Sequence, residues 1–589
     1  MQGSDTDSVS TAEPSPLSSG NRKAILATAL IQGLALYLLK ALPAAESWSP
    51  VWLYLSYTLV IAIPPLVILT IAPRLARHAW WVVTAFAALL ALVAGYRGYQ
   101  CTPSDTFNCG WPHELAVTAG IATFIVAFLL RASAVGRERL TRPDYPSLFH
   151  YSWDNALTAG LTLVFTAIFW MILYLWQALF KLVGIDFFHQ LFGEDWFFYP
   201  VTWLVAGSGA ILFRSQQSFV LTLKRLLRTM LVALLPLLAV LTIVFLATLP
   251  FTGLQPIWDT GRGSVLLLWL VALLFFFTNG VIQDEFPFQR YPLWINRVLL
   301  LALIVTPFYA AFALYGLFLR VQQYGWTPER LWGMVVALTL ALLALTYSIS
   351  ILRRGGQWAE WLRRINTGLA FWILAICLIT QSPLLNFWKI SADNQASRLL
   401  EGKIELAEFD FYFLRHKLGR PGLDTLRSLE QETIIRQNPE IARYIQSLMD
   451  PGLNAFDHRQ NPLREDSEAK QLRNIEVLPA GASLPENFNV RHIGRTCLRD
   501  NDCVWLRRDL DGDGEDEVLL FSLYRNRQLT TTVFYREGGR WQRLSSSGRS
   551  FDQTLEVLKR KLSDESLELR PPRWQSLYIG DELLFDPTQ

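Results

Sequence analysis

Long apolar runs with almost no charge recur from Ala24 to about Leu385, and beyond Phe387 the chain changes to the short alternations of a water-soluble protein. A helix rising 1.5 Å per residue needs roughly twenty apolar residues to cross about 30 Å of hydrocarbon. By that measure the runs at 24–42, 51–73, 79–95, 115–131, 156–180, 197–213, 229–250, 264–282, 298–319, 331–352 and 368–385 each predict a spanning helix. The sixth is the shortest and carries Pro200, Gly207 and Gly209, although Phe197, Phe198 and Tyr199 at its start suit a membrane interface. Residues 22–45 also read as a signal peptide, with Ala41, Ala44 and Ala45 as small residues, but the apolar stretch is too long for a typical cleaved segment. It is taken as an anchor.

The first 21 residues are rich in Ser, Thr, Pro and Gly and predict a disordered tail. Residues 22–387 then form the membrane domain, 388–450 a helical segment, 451–473 a polar linker and 474–589 a small α+β domain. Within the helical segment, 424–450 carries a rough apolar stripe. The last domain reads as strands at VWLRRDL, EVLLFSLY, QLTTTVFYRE and RWQRL, a helix near 551–564, and the segment SLYIGDELLF. The expected fold class is an all-α polytopic membrane bundle of about eleven helices with a small extracytoplasmic α+β domain.

Composition agrees with this division, since 52% of the 589 residues are hydrophobic and only 17% charged. The net charge of +3 comes with no Lys/Arg block interleaved with aromatics, which argues against a nucleic-acid partner. Positive charge sorts between alternate loops instead. Arg22 and Lys23, Arg74 and Arg77, Arg131 to Arg142, Arg214 to Arg228, Arg290 and Arg297, and Arg353 to Arg364 fall on one side, against isolated Lys40, Arg97, Arg262 and Arg320 on the other. Cytoplasmic loops retain Lys and Arg, so the N-terminus is expected in the cytoplasm and the C-terminal domain in the periplasm of a bacterial inner membrane. Four of the five cysteines fall in two close pairs on the expected outer side, Cys101 with Cys109 and Cys497 with Cys503, and predict two disulfides. Four free thiols is the alternative. Neither pair is CxxC, which argues against a redox enzyme.

Candidate chemistry is sparse. The middles of the spans hold Gln32, Asn279 and scattered Ser and Thr, without Asp, Glu or His, which weakens proton-coupled transport. Pro64 with Pro65, Gly207 with Gly209, and Pro307 are possible helix breaks that would expose backbone groups to a substrate, or kinks packed by neighbours. Asp186, His189, Glu194 and Asp195 follow the fifth span among aromatics, as on an interfacial amphipathic helix. In YGWTPERLWG, Thr327, Pro328 and Glu329 have the order of an N-cap, a first helical position and an acid near the helix dipole.

The most specific chemical signal is DLDGDGEDE, from Asp509 to Glu517. Calcium needs several oxygen ligands closing around a tight turn, and Asp509, Asp511, Asp513 and Glu517 with Gly514 at the turn supply that pattern. It resembles the short calcium loops of β-propeller repeats and departs from an EF-hand, because position twelve is Leu520. A solvated acidic turn is the plain alternative. A full protein ligand set would make any calcium structural.

The stretches YSWDNALTAG, LWQALFKLVGIDFF, YGWTPER and RLLEGKIELAEFDFYFLRHKLGRPGLDTL, in that order, together resemble a bacterial multi-pass membrane family catalogued as domain of unknown function 4153, over roughly residues 20–430. The resemblance implies the multi-pass topology and brings no activity, substrate or catalytic residue with it. In its last stretch, Arg398, Lys403, Asp410, Arg415 and Arg420 are placed to bind an anionic lipid or envelope polymer, or to pair on an exposed helix. Three functions remain open. They are a non-enzymatic envelope scaffold or sensor, a transporter or flippase for a lipid-linked or small substrate, and, behind these, a membrane glycosyltransferase, whose acidic first outer loop would here be residues 43–50 with Glu46 alone.

Overall fold

The computed structural model describes residues 17–41, 49–71, 77–101, 113–136, 145–282, 291–354, 358–449, 461–463, 475–479, 481–485, 488, 501–524, 528–537, 540–550, 554–563, 577–579 and 582–585. Eleven of its helical segments are long and apolar enough to cross a membrane, one for each predicted run. They are α1 (Ser19–Ala41), α2 (Pro50–Thr70), α3 (Arg77–Gln100), α4 (His113–Gly136), α5 (Tyr145–Leu182), α7 (Asp195–Ser215), α8 (Gln217–Thr252), α10 (Gly263–Val281), the consecutive pair α11 (Leu293–Ile304) and α12 (Thr306–Tyr324), α13 (Pro328–Arg354) and α14 (Trp358–Ile379). Short helices α6 (Phe187–Gly193) and α9 (Gln255–Asp259) lie between them. Large apolar side chains point outward along these helices, with Leu163 72%, Leu237 68% and Leu352 68% exposed. Such a surface suits hydrocarbon, where only the backbone must be satisfied within the chain.

We call the end of the bundle where Ala41, Gln100, Leu182, Thr252, Tyr324 and Ile379 close their helices distal, and the end bearing Ser19 proximal. Small residues let the helices approach. A Cβ on Gly33 would meet Pro200 Cα at 2.6 Å, and one on Gly207 would meet the Ala29 Cβ at 2.6 Å, so α1 and α7 pack nearly backbone to backbone. Helix α7 is therefore continuous through Pro200, Gly207 and Gly209, and its glycines serve packing. Helix α2 is likewise continuous through Pro64 and Pro65.

Pro307 does mark a break. Lacking an N–H, it cannot bond the Leu303 carbonyl, and the ninth span divides at Val305. The freed groups are met locally: Thr306 Oγ donates to Leu303 O at 2.7 Å, and Ser348 Oγ of α13 lies 3.2 Å from Leu303 O and 3.1 Å from Ile304 O. Asn279 enters a second polar knot, where Asn366 Nδ2 donates to Asn279 Oδ1 at 2.8 Å and the Tyr347 hydroxyl donates to Asn366 Oδ1 at 2.8 Å. That knot ties α10, α13 and α14 together.

The chain forms two compact units, one of Met1–Lys403 with Phe413–Leu429, the other of Ile404–Tyr412 with Glu430–Gln589. In the first, α15 (Phe387–Leu400) follows the last span, its start capped by Asn386 Oδ1 accepting from Lys389 N at 3.1 Å. After α16 (Phe411–Lys417), the stripe over 424–450 resolves into α17 (Gly419–Glu430) and, within the second unit, α18 (Thr433–Arg436) and α19 (Pro439–Met449), rather than one long helix. Pro439 opens α19 and keeps Asn438 out of the preceding helix.

In the second unit, β1 (Val477–Leu478), β2 (Asn501–Arg508), β3 (Glu517–Tyr524), β4 (Gln528–Glu537) and β5 (Arg540–Ser550) form one sheet in chain order, parallel between β1 and β2 and antiparallel elsewhere. Alternation gives the sheet two apolar faces. Trp505, Val518, Leu520 and Phe534 pack with Phe488 on one, while Val504, Leu506 and Leu519 pack under Leu558 and Leu562 of α20 (Leu555–Ser563) on the other. β6 (Leu577–Ile579) and β7 (Glu582–Phe585) form a separate hairpin within the predicted segment SLYIGDELLF.

Candidate functional site

The distal end of α12 concentrates polar structure. A helix leaves its last four carbonyls without intrahelical donors, and here each finds one. Gly325, at φ +74°, turns the chain and donates to Val321 O at 2.8 Å. Arg398 of α15 donates to Gln322 O at 2.9 Å and Gln323 O at 2.7 Å, placing a guanidinium at the negative end of the helix dipole. Tyr324 O accepts from Gln395 at 3.1 Å and from Arg330 at 3.2 Å. The following residue is held as firmly, because Trp326 N donates to Asn394 Oδ1 at 2.8 Å and Trp326 O accepts from Ser391 Oγ at 2.8 Å. Thr327 takes the expected cap position, its Oγ1 accepting from Arg330 N at 3.4 Å, and α13 begins at Pro328.

Beside this joint lies a cavity of about 340 Å³. Phe318, Val321 and Trp326 give it an apolar wall, and Asn394, Arg398 and Lys403 a polar one. Lys403 is paired with Glu401 at 2.5 Å, and the Arg398 Nε is buried with no hydrogen-bond partner. Phe318 is half exposed, so the hollow joins an accessible apolar wall to a guanidinium and to the Lys403–Glu401 ion pair, whose carboxylate also lines it. A second hollow of about 510 Å³, in the other unit, is lined by Glu430, Arg436, Arg443 and neighbouring polar groups and lacks an aromatic wall.

The acidic loop has a definite shape. Asp509 accepts from Gly512 N at 2.7 Å and Gly514 N at 3.0 Å, Asp511 from Asp513 N at 3.1 Å, and Glu517 from Leu510 N at 2.6 Å. Gly512 and Gly514, at φ +82° and +90°, make both bends, whereas sequence reasoning credited Gly514 alone. Carboxylate oxygens of Asp509, Asp511 and Glu517 lie within 4.8 Å of one another. Asp513 stands apart from that trio, its Oδ1 accepting from Glu515 N at 2.7 Å. Burial raises the Glu517 carboxyl above its ordinary pKa, the Leu510 N–H opposes the rise, and the charges of Asp511 and Asp513 add to it.

Other sequence candidates take structural posts. Asp195 pairs with Lys40 at 2.7 Å, and His189 Nδ1 lies 2.9 Å from Gln177 Nε2, so the cluster expected after the fifth span, on α6 and α7, is tied to α1 and α5. Arg420 stacks over Tyr99, 4.0 Å from the ring centre, and Arg415 is buried. Gln32 donates to Val60 O at 3.1 Å, and among the described residues no hydrogen bond joins it to the Asn279 knot. Cys101 is buried with its sulfur 3.2 Å from the Tyr54 hydroxyl, and Cys503 is buried in the sheet core. Their expected partners Cys109 and Cys497 lie outside the described residues.

Sequence reasoning missed Ser391, Asn394 and Gln395. Their signal was present, since 391, 394, 395 and 398 recur at helical spacing and place four hydrogen-bonding side chains on one face of α15.

Helices with lipid-suited surfaces, carrying a sheet-containing unit in the same chain, define a multi-pass membrane protein. Residues 34–429 match the family described as a domain of unknown function, DUF4153, and the chain belongs to that family. No curated protein and no solved structure matches the chain.

Proposed function

We propose that this chain is a non-enzymatic scaffold or sensor of the bacterial inner membrane that binds an anionic lipid or envelope polymer at the distal cavity. The observation that carries the reading is the pairing of an apolar wall with Arg398, and with a Lys403 that a ligand would share with Glu401, at the point where α12, the following turn and α15 are bonded together. A ligand seated there touches three elements at once and biases their packing. The sorting of Lys and Arg supports a cytoplasmic proximal end and, with it, a periplasmic cavity and C-terminal sheet as part of the proposal. An oxidising compartment suits disulfides Cys101–Cys109 and Cys497–Cys503.

Calcium in the acidic loop completes the proposal, with Asp509, Asp511 and Glu517 as carboxylate ligands and Asp513 joining them by turning its side chain. Its role is to fasten the turn between β2 and β3. A second reading, transport or flipping of a lipid-linked substrate, draws on Gln32, fully buried with an Oε1 that lacks a partner.

Native mass spectrometry of the full chain in mild detergent tests the first reading. A phosphate- or carboxylate-bearing ligand retained at one per chain, and lost in Trp326→Ala and Lys403→Glu, is the expected result. Wild type without such a ligand, or equal retention in the variants, would overturn it. Substrate flux in proteoliposomes that is abolished by Gln32→Leu would favour transport.

A further inference from the structure

At the proximal end, four helices bring a surplus of positive charge to one junction. Arg131 of α4 donates to Asp154 Oδ2 at 2.7 Å and Asn155 Oδ1 at 2.6 Å, both on α5, and its guanidinium lies 4.7 Å from the Tyr151 ring centre. Arg214 of α7 donates to Ile68 O and Ile71 O at the end of α2, both at 2.5 Å. Lys224 of α8 reaches His150 O at 3.2 Å. Both Arg214 and Lys224 feel the charges of Arg131 and Asp154. Among the described residues, three cations thus face one carboxylate, in a setting that screens them less than bulk water does.

Neutral donors stand in the same place. Asn155 is fully buried, and because its oxygen accepts from Arg131, its Nδ2 must point elsewhere, where it has no partner. Thr158, one turn along the buried face of α5 and 1% exposed, has an unpaired hydroxyl, as does Ser215 beside Arg214. Unpaired donors at this depth are costly, and with surplus cations they match one ligand chemistry, an oxyanion with several acceptor oxygens.

We infer that the junction of α4, α5, α7 and α8 binds a phosphate group, with Lys224 and Arg131 supplying charge and Asn155 and Thr158 supplying neutral donors. The same chemistry is offered by the headgroup of an acidic phospholipid in the adjoining leaflet and by soluble phosphate. This site lies at the opposite end of the bundle from the distal cavity and stands independently of it.

The test measures melting of the full-length protein in a neutral detergent on addition of short-chain phosphatidylglycerol, short-chain phosphatidylcholine or inorganic phosphate, at constant ionic strength. Wild type is expected to be stabilised by phosphatidylglycerol and not by phosphatidylcholine, with the midpoint concentration raised about tenfold in Lys224→Gln, the loss of a charge-assisted bond. Thr158→Val, which deletes only the hydroxyl, should raise it less, and the exposed neighbour Arg225→Gln should leave it unchanged. A shift with inorganic phosphate that also weakens in Lys224→Gln would support the site and name soluble phosphate as its source. No shift with either anion, or equal weakening in Lys224→Gln and Arg225→Gln, would overturn the inference.

Discussion

The bundle and the sheet unit solve the same packing problem with opposite materials. In the bundle, Leu163 and Leu237 face outward and the buried positions include Gln32, Asn155, Thr242 and Ser348. In the sheet unit, Trp505, Val504 and Val518 are fully buried while Asp511 and Asp513 face solvent. Lipid gives apolar side chains no reason to turn inward, so close backbone approach and hydrogen bonds hold the bundle, whereas water drives the sheet's aromatics into a core.

Substitutions should therefore damage the two units by different chemistry. The largest effects are expected from Gly33→Leu, which forces α1 off α7, and from Trp505→Ala, which empties the centre of the sheet's core. Trp505→Ala should cost about 3–5 kcal/mol, measured by denaturant unfolding. Gly33→Leu should abolish recovery of folded protein in detergent, and a monodisperse variant with wild-type melting would break the proposed dependence on close approach.

Next in size is the acidic loop. Asp509→Asn combined with Asp511→Asn is expected to remove any calcium-dependent protection of β2 and β3 in hydrogen exchange, a difference of about 2.7 kcal/mol when calcium stands at a hundred times its Kd. Equal protection in wild type and variant would reject calcium. Smaller again is the Asn279–Tyr347–Asn366 knot, because membrane hydrogen bonds average about 0.6 kcal/mol. Asn366→Leu should lower the bundle's stability by about that amount, and an effect as large as that of Trp505→Ala would show that the two units are held alike.

The smallest effect concerns pH. A carboxyl whose pKa is raised by folding stabilises the folded state below the unfolded pKa, and that contribution is lost as pH rises through the folded value. Glu517 should thus make the calcium-free sheet unit less stable on going from about pH 4 to about pH 7. Glu517→Gln should flatten that slope, and calcium should reverse its sign in wild type.

Much of this was readable from the chain, and the reasons differ by region. The eleven spans follow from continuous apolar runs whose length is set by the bilayer, and strands β2 to β5 follow from period-two patterns bounded by turn residues. The break at Pro307 was legible because a missing N–H is a local property. Its repair by Ser348 was not, since that depends on a residue far along the chain and on helix packing. The glycines of α7 carried a sequence signal open to two readings, and the position of α1 decided between them. The acidic pattern named four carboxylates of one loop, but only the folded loop separates Asp513 from the other three. Of the distal cavity, Arg398 and Lys403 could be named in advance, while the wall from Phe318 and Trp326 arises from where α12 ends relative to α15.

Because α15 supplies donors for the last carbonyls of α12, the ninth and tenth spans are unfinished until residues 391–398 have been synthesised. A nascent chain halted within the eleventh span lacks the Arg398 donors for Gln322 O and Gln323 O, which leaves that joint open. The order of synthesis thereby makes the segment after the last span the clasp that completes the bundle.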